Sequence, residues 1–168
     1  SGWYDRNNNC VSTESEYKFT VLSDMFIKMN IENTEFENIA KGCKVTSKDI
    51  YTLGNSWNAE NLTDGQYDSI KGNLGFSSGT INTNQADTWI ELDLGRINTF
   101  NRINLYPRTD VFAKNGRTVG FPEDFKISIS NDGENYTPIR EYIGFAAPLK
   151  KPAVIQFSKP QEARFVRI

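Results

Sequence analysis

The stretch SISNDGENYTPI, residues 128–139, decides the fold class. Asp132-Gly133 supplies the positive φ values that a tight hairpin turn demands, and Asn131 and Asn135 flank it with side chains suited to local backbone bonding. Just before the turn, residues 124–130 alternate strictly. That pattern puts Phe125, Ile127 and Ile129 inward and Lys126 and Ser128 outward. The spacing predicts that 125–130 pairs antiparallel with 136–139.

Working outward, the same period of two recurs. Ile90, Leu92 and Leu94 share one face of 88–94, with Trp89, Glu91 and Asp93 opposite. In 100–106, Ile103 and Leu105 oppose Arg102 and Asn104. Residues 153–157 and 164–168 read as two further strands. The second half carries no amphipathic helix, and short strands separated by turn chemistry predict an all-β sandwich or barrel. There is no internal repeat and no low-complexity tract. The first 35 residues read differently: 17–22 and 25–31 form an expected hairpin around Ser23-Asp24, preceded by a polar loop at 5–9. A boundary near 34–37 separates 1–35, an N-terminal hairpin extension or the tail of a preceding domain, from a sandwich over 36–168.

A chain of 168 residues suits one domain, or one domain plus a short piece of a neighbour. With 38% hydrophobic and 12% aromatic residues the composition is globular. A formal net charge of −2 gives no basic footprint for nucleic acid or anionic lipid. Histidine is absent, which excludes Ser–His–Asp and Cys–His catalysis and imidazole-based zinc sites. The acidic residues fall on solvent faces or in turns, with no carboxylate pair in a catalytic setting, so the chain reads as non-catalytic. Cys10 and Cys43 are the only thiols; they either pair, as an exported protein would allow, or stay apart. No apolar run approaches the ~20 residues of a membrane span. The start, Ser1-Gly2-Trp3, is not a signal peptide, so the chain reads as a piece of a longer precursor.

Two loops carry chemistry. Residues 61–69, NLTDGQYDS, offer the Asp64 carboxylate beside Gly65, where a turning backbone can gather oxygens around a hard cation. On spacing alone, Asp64-Gly65 reads as an ordinary turn with no metal. Residues 106–116, YPRTDVFAKNG, lie between strands. Pro107 stiffens the base of Arg108, whose planar guanidinium suits two adjacent hydroxyls, and Asn115 offers a donor and an acceptor from one amide. The competing structural readings are an Arg108–Asp110 ion pair and an Asn115-Gly116 turn.

From residue 36 onward the order of motifs resembles the discoidin family. That family includes the C domains of coagulation factors V and VIII and the family 32 carbohydrate-binding modules, the latter being the nearer likeness. The motifs are ENIAKGCKVTS at 37–47, WNAENLTDGQYDS at 57–69, GFSSG at 75–79, DTWIELDLG at 87–95, INLYPR at 103–108, FPEDFKISISNDGENY at 121–136 and ARFVRI at 163–168. The resemblance implies an eight-stranded antiparallel jelly-roll β-sandwich of the galactose-binding-domain type, with ligand loops at one end. It implies a structural Ca2+ held by Asp64 through its side chain and by oxygens of Asn61, Gln66 and Ser69, a further ligand often lying near the C-terminus. It also implies a glycan site built on Arg108 and Asn115, with Phe145 or Phe112 as the ring that packs on a pyranose. Trp89 and Phe76 match core positions, and Trp57 fits either core or site. Galactose-binding relatives often add a histidine, which this chain lacks: either Asn82, Asn84 or Gln85 replaces it, or the preferred sugar differs.

The implied protein is a monomeric, secreted or cell-surface bacterial module. It recognises galactose or N-acetylhexosamine-type glycans for a larger protein such as a glycoside hydrolase. The alternative within the resemblance is an adhesion or membrane-surface domain. That role needs basic residues around apolar spikes, for which Lys114, Arg117, Lys150 and Lys151 are scattered candidates.

Overall fold

The structure, a computed structural model, describes residues 2–4, 10–12, 28–30, 37–48, 50–51, 56–78 and 88–168. Its contacts divide the chain into two units, Ser1–Glu37 and Asn38–Ile168. In the first, β1 (Gly2–Tyr4) lies between β2 (Cys10–Ser12) and β3 (Lys28–Asn30) and pairs antiparallel with both. The expected strand at 17–22 and the loop at 5–9 fall outside the described residues. The strands at Gly2–Tyr4 and Cys10–Ser12 are too short to show a hydrophobic period, and the sequence did not signal them.

The second unit is all-β, apart from a 3-10 turn at Glu60–Leu62 among the described residues. Its strands are β4 (Lys44–Ser47), β5 (Ile90–Leu105), β6 (Phe125–Ser130), β7 (Thr137–Tyr142) and β8 (Ala153–Arg167). They form one antiparallel sheet in the order β4-β5-β8-β6-β7.

Four of the expected strands turn out to be two. The stretches expected at 88–94 and 100–106 merge into the single strand β5, Ile90–Leu105, and those at 153–157 and 164–168 into the single strand β8, Ala153–Arg167. The sequence breaks at Gly95 and at Lys159-Pro160 are irregularities within a long ladder. Register shifts fall between Asp93 and Asn98 and between Phe100 and Arg102. Gly95 adopts φ +77°, and its N–H donates to Asp93 Oδ1 at 2.8 Å, so the chain bends without leaving the sheet. The second shift also changes which parity of β5 faces inward, from Leu94 and Phe100 before it to Ile103 and Leu105 after it. Phe100 and Ile103, three residues apart on β5, therefore both pack on the same core.

That core is Ile127, Ile155, Phe157 and Val166, ringed by partly buried Leu94, Leu105, Phe125, Ile129, Ile139 and others. The inward assignment of Phe125, Ile127 and Ile129 holds. Ser128, expected outward, is only 7% exposed, because β6 is an interior strand and its short side chain is shielded by neighbours on both sides. Trp89, expected in the core, instead lies half-buried on the Glu91 side, with the Arg167 guanidinium carbon 4.6 Å from its ring centroid. Phe76 is also only half-buried and outside the core cluster.

The β6–β7 hairpin forms with Phe125 opposite Tyr142 and Ile129 opposite Thr137. Its turn is wider than the tight one expected. Gly133 alone takes positive φ, +78°, and the Asp132 side chain organises the rest. Asp132 Oδ1 accepts from the N–H groups of Glu134 (2.9 Å) and Asn135 (2.8 Å), and Oδ2 accepts from Asn135 Nδ2 at 2.8 Å. These donors hold the Asp132 carboxyl well below the usual carboxylate range, the Asn135 side chain contributing most.

Candidate functional site

The loop 106–124 leaves β5 through Tyr106-Pro107-Arg108, and 56–75 approaches it from earlier in the chain. The sequence suggests two separate sites here, one for metal and one for sugar. The structure joins the two loops. The Ser69 N–H donates to Thr109 Oγ1 at 2.9 Å, and the Thr109 N–H donates to Ser69 Oγ at 3.2 Å. Tyr67 stacks on Tyr106, ring centroids 4.3 Å apart and planes 21° from parallel. Both rings stay open to solvent, at 48% and 43% exposure. Large aromatic area left this exposed on a loop is the kind of surface that packs on a ligand.

Beside this platform, Arg108 Nε and Nη2 donate to Asp110 Oδ1 and Oδ2 at 2.8 and 2.7 Å. Its guanidinium carbon sits 5.0 Å from the Trp57 ring centroid. The Asp110 hydrogen bond raises the Arg108 pKa, and the same bond holds the Asp110 carboxyl below its usual range. The ion pair weighed as an alternative to a ligand role is therefore present. It does not exhaust the side chain, because a guanidinium carries five N–H groups in a fixed fork and Asp110 takes two. Held side-on, the guanidinium is oriented before any ligand arrives.

Asn115 occupies the tip of the same loop, at a turn closed by Gly116 (φ +79°). Its Oδ1 accepts from the Arg117 N–H at 3.0 Å, so the turn reading is also realised. Its NH2 group has no partner among the described residues. Arg108 and Asn115 thus share a loop with no bond between them.

Phe145 does not present a free ring. It packs against Tyr142, Phe125 and Phe121 at centroid distances of 5.0, 5.4 and 6.0 Å, a satellite core under its loop. Phe112 is half-buried, with Lys150 Nζ 5.4 Å from its ring centroid. The rings exposed beside Arg108 are Tyr67 and Tyr106, neither of which was singled out. The signal was present in the tyrosine-proline-arginine run at a strand end, but the partnership of residues 39 apart in the chain was not. Asn82, Asn84 and Gln85 lie outside the described residues.

In the 61–69 loop, Asp64 Oδ1 accepts from the Gln66 N–H at 2.7 Å, and Oδ2 accepts from Asn73 Nδ2. Asn61 Nδ2 donates to Gly75 O at 3.0 Å, and Ser69 Oγ donates to Leu74 O at 3.4 Å. Gly65 turns the chain at φ +87°. The donor set is one carboxylate with neutral amide, hydroxyl and carbonyl oxygens, which fits the oxygen chemistry of calcium. Among the described residues no group of three or more His, Cys, Asp or Glu gathers for a metal. Cys43 is a free thiol that donates to Ile39 O at 3.1 Å, and burial pushes its pKa up.

This sheet, with its bulged long strands and loops gathered at β-strand ends, is the architecture of discoidin-like domains. Residues 44–168 match the F5/8 type C domain family, and the chain belongs to it. No curated protein matches the chain. Similar solved structures are carbohydrate-binding domains. One is CpGH89CBM32-5 from Clostridium perfringens, in complex with GalNAc-beta-1,3-galactose, at 21% identity and TM-score 0.53, covering 74% of this chain and 80% of that one. A fucose binding module from Streptococcus pneumoniae aligns at 16% identity and TM-score 0.57, covering 82% and 86%. Chitosan-binding module 1 of a chitosanase/glucanase from Paenibacillus sp. IK-5 aligns at 22% identity and TM-score 0.52, covering 79% and 84%. These likenesses establish the β-sandwich fold. Among the described residues no helix is long and apolar enough to cross a membrane.

Proposed function

We propose that this chain is a non-catalytic carbohydrate-binding module whose ligand rests on the exposed Tyr67–Tyr106 stack and is read by Arg108. The observation that carries the reading is the juxtaposition of that open aromatic surface with a guanidinium fixed by Asp110 and Trp57. Apolar ring faces pack on the C–H face of a pyranose, and the remaining Arg108 N–H groups donate to its hydroxyls. Asn115 adds an amide from the loop tip. The sugar class is galactose or N-acetylhexosamine, as GalNAc-beta-1,3-galactose in the Clostridium perfringens neighbour suggests. The module serves a larger secreted bacterial protein, for which a glycoside hydrolase is the favoured parent.

Calcium bound by Asp64, with oxygens from Asn61, Gln66 and Ser69, would brace the loop that presents Tyr67. The ion would supply rigidity and take no part in chemistry. Binding is tested by affinity electrophoresis in galactose- and N-acetylhexosamine-containing polysaccharides. The native chain is retarded and Tyr106→Ala runs with a non-binding control; equal retardation of both removes the platform from the site.

A further inference from the structure

The four cations that look scattered in the sequence are gathered by the fold. The loop 111–120 doubles back on itself: Phe112 bridges Thr118 antiparallel, and the Ala113 N–H donates to Arg117 O at 2.8 Å. It is fastened to the 146–151 loop by buried Thr118, whose Oγ1 donates to Pro148 O at 2.9 Å, and by Lys150 Nζ lying over the Phe112 ring. Lys114 and Arg117 therefore project from one loop and Lys150 and Lys151 from the loop fastened to it, all four exposed.

The surrounding sequence sharpens the charge. Residues 111–122 and 142–161 contain no Asp or Glu, although the whole chain has 21 acidic residues and a net charge of −2. Among the described residues, none of the four cations has an ion-pair partner. Of the acids that border these stretches, Asp110 pairs with Arg108, and none of Glu123, Glu141 and Glu162 forms an ion pair with the four cations among the described residues. Lys150 is the one non-glycine with positive φ, +55°, among the described residues. An L side chain rarely adopts that backbone, and such strain collects at ligand sites. Here Lys150 Nζ reaches the Phe112 ring of the neighbouring loop.

We infer that these fastened loops extend the sugar site into an anion-reading surface, fitted to polysaccharides that bear carboxylate or sulfate groups. The inference rests on the glycan reading above, because Lys114 and Arg117 flank Asn115 on the loop that begins at Arg108. A saccharide seated at Arg108 and Asn115 lies on the loop that carries Lys114 and Arg117, which is fastened to the loop that carries Lys150 and Lys151. Lysine and arginine there reward acidic substituents, most of all through several weak contacts along one polymer. Exposed Val119 and Leu149, at 40% and 57% exposure, leave an anionic membrane as the competing occupant; continuity with the Arg108 loop favours the polysaccharide.

The test compares chondroitin sulfate with chondroitin that has been desulfated and carboxyl-reduced, which keeps the N-acetylgalactosamine backbone and removes the charge. The expected result is retention at least about tenfold stronger on the charged polymer, roughly 1.4 kcal/mol, and weakening with added salt. Combining Lys114→Gln, Arg117→Gln, Lys150→Asn and Lys151→Gln should bring the two within about twofold while leaving retention on the neutral polymer unchanged. Asparagine tolerates the left-handed backbone at 150. Equal retention of the native chain on both polymers overturns the inference and leaves the sugar reading standing. Retention on neither overturns both. Binding to phosphatidylserine vesicles without retention on chondroitin sulfate overturns it in favour of a membrane surface.

Discussion

Arg108 and Asp110 separate a residue that holds a ligand from one that holds the holder. Their bonds are 2.7 and 2.8 Å, and the side chains are 24% and 27% exposed. A partly solvated ion pair of this kind contributes only about 0.2–1 kcal/mol to stability, so Arg108→Ala and Asp110→Asn should each lower the melting temperature by no more than about 4 °C. Ligand binding should respond differently. Each sugar hydroxyl bond lost from Arg108 costs about 1.5–3 kcal/mol, so Arg108→Ala should lose at least about tenfold in affinity. Asp110→Asn leaves the guanidinium in place but unfixed, and should lose about threefold to tenfold. The double variant should bind no worse than Arg108→Ala, because Asp110 acts through the arginine. Calorimetric titration with the saccharide retained in gels, alongside thermal melts, reads both effects. The reasoning is refuted if Arg108→Ala melts much lower yet binds normally, or if the two affinity losses add in full. The Arg108 bond lowers the Asp110 pKa, so this pair's stability is complete above about pH 4, the unfolded value. It is lost as pH falls through the folded value.

The remaining expectations concern the metal, the base limb and affinity. Stripping calcium should lower the melting temperature, and Asp64→Ala should abolish the difference between chelator and calcium; identical melts in both conditions would remove calcium from the account. Burial first, and then its bond to Glu91, push the Tyr136 hydroxyl up to about 12. Its stabilisation is complete below about pH 10 and is lost as pH rises through about 12, so Tyr136→Phe should flatten the alkaline decline. An open platform with one arginine should hold a monosaccharide at roughly millimolar strength, about −4 kcal/mol; submicromolar binding would mean a deeper site than this one.

The hairpin at 125–139 was legible because its alternation and Asp132-Gly133 are local. What the sequence did not disclose is non-local. The stretches on either side of Gly95 and of Pro160 read as separate strands, yet both residues lie at register shifts within continuous strands. Arg108 could be singled out from its residue type and Pro107. Trp57, under its guanidinium, and Tyr67, stacked on Tyr106, come from a loop far back in the chain, and only the fold brings them to the Arg108 loop. Phe145 shows the converse: a loop phenylalanine looks available until three other rings are found around it. The cations at 114, 117, 150 and 151 became one surface for the same reason, through a single threonine bond across the two loops.

The central claim, that sugar binds at the Tyr67–Tyr106–Arg108 surface, is tested most directly by residue-resolved amide shifts during titration with N-acetylgalactosamine and galactose. Saturable shifts confined to residues around 57, 67–69 and 106–117, and absent in Tyr106→Ala, are the predicted result. No saturable shift with either sugar, or shifts centred on the β6–β7 hairpin instead, would contradict it.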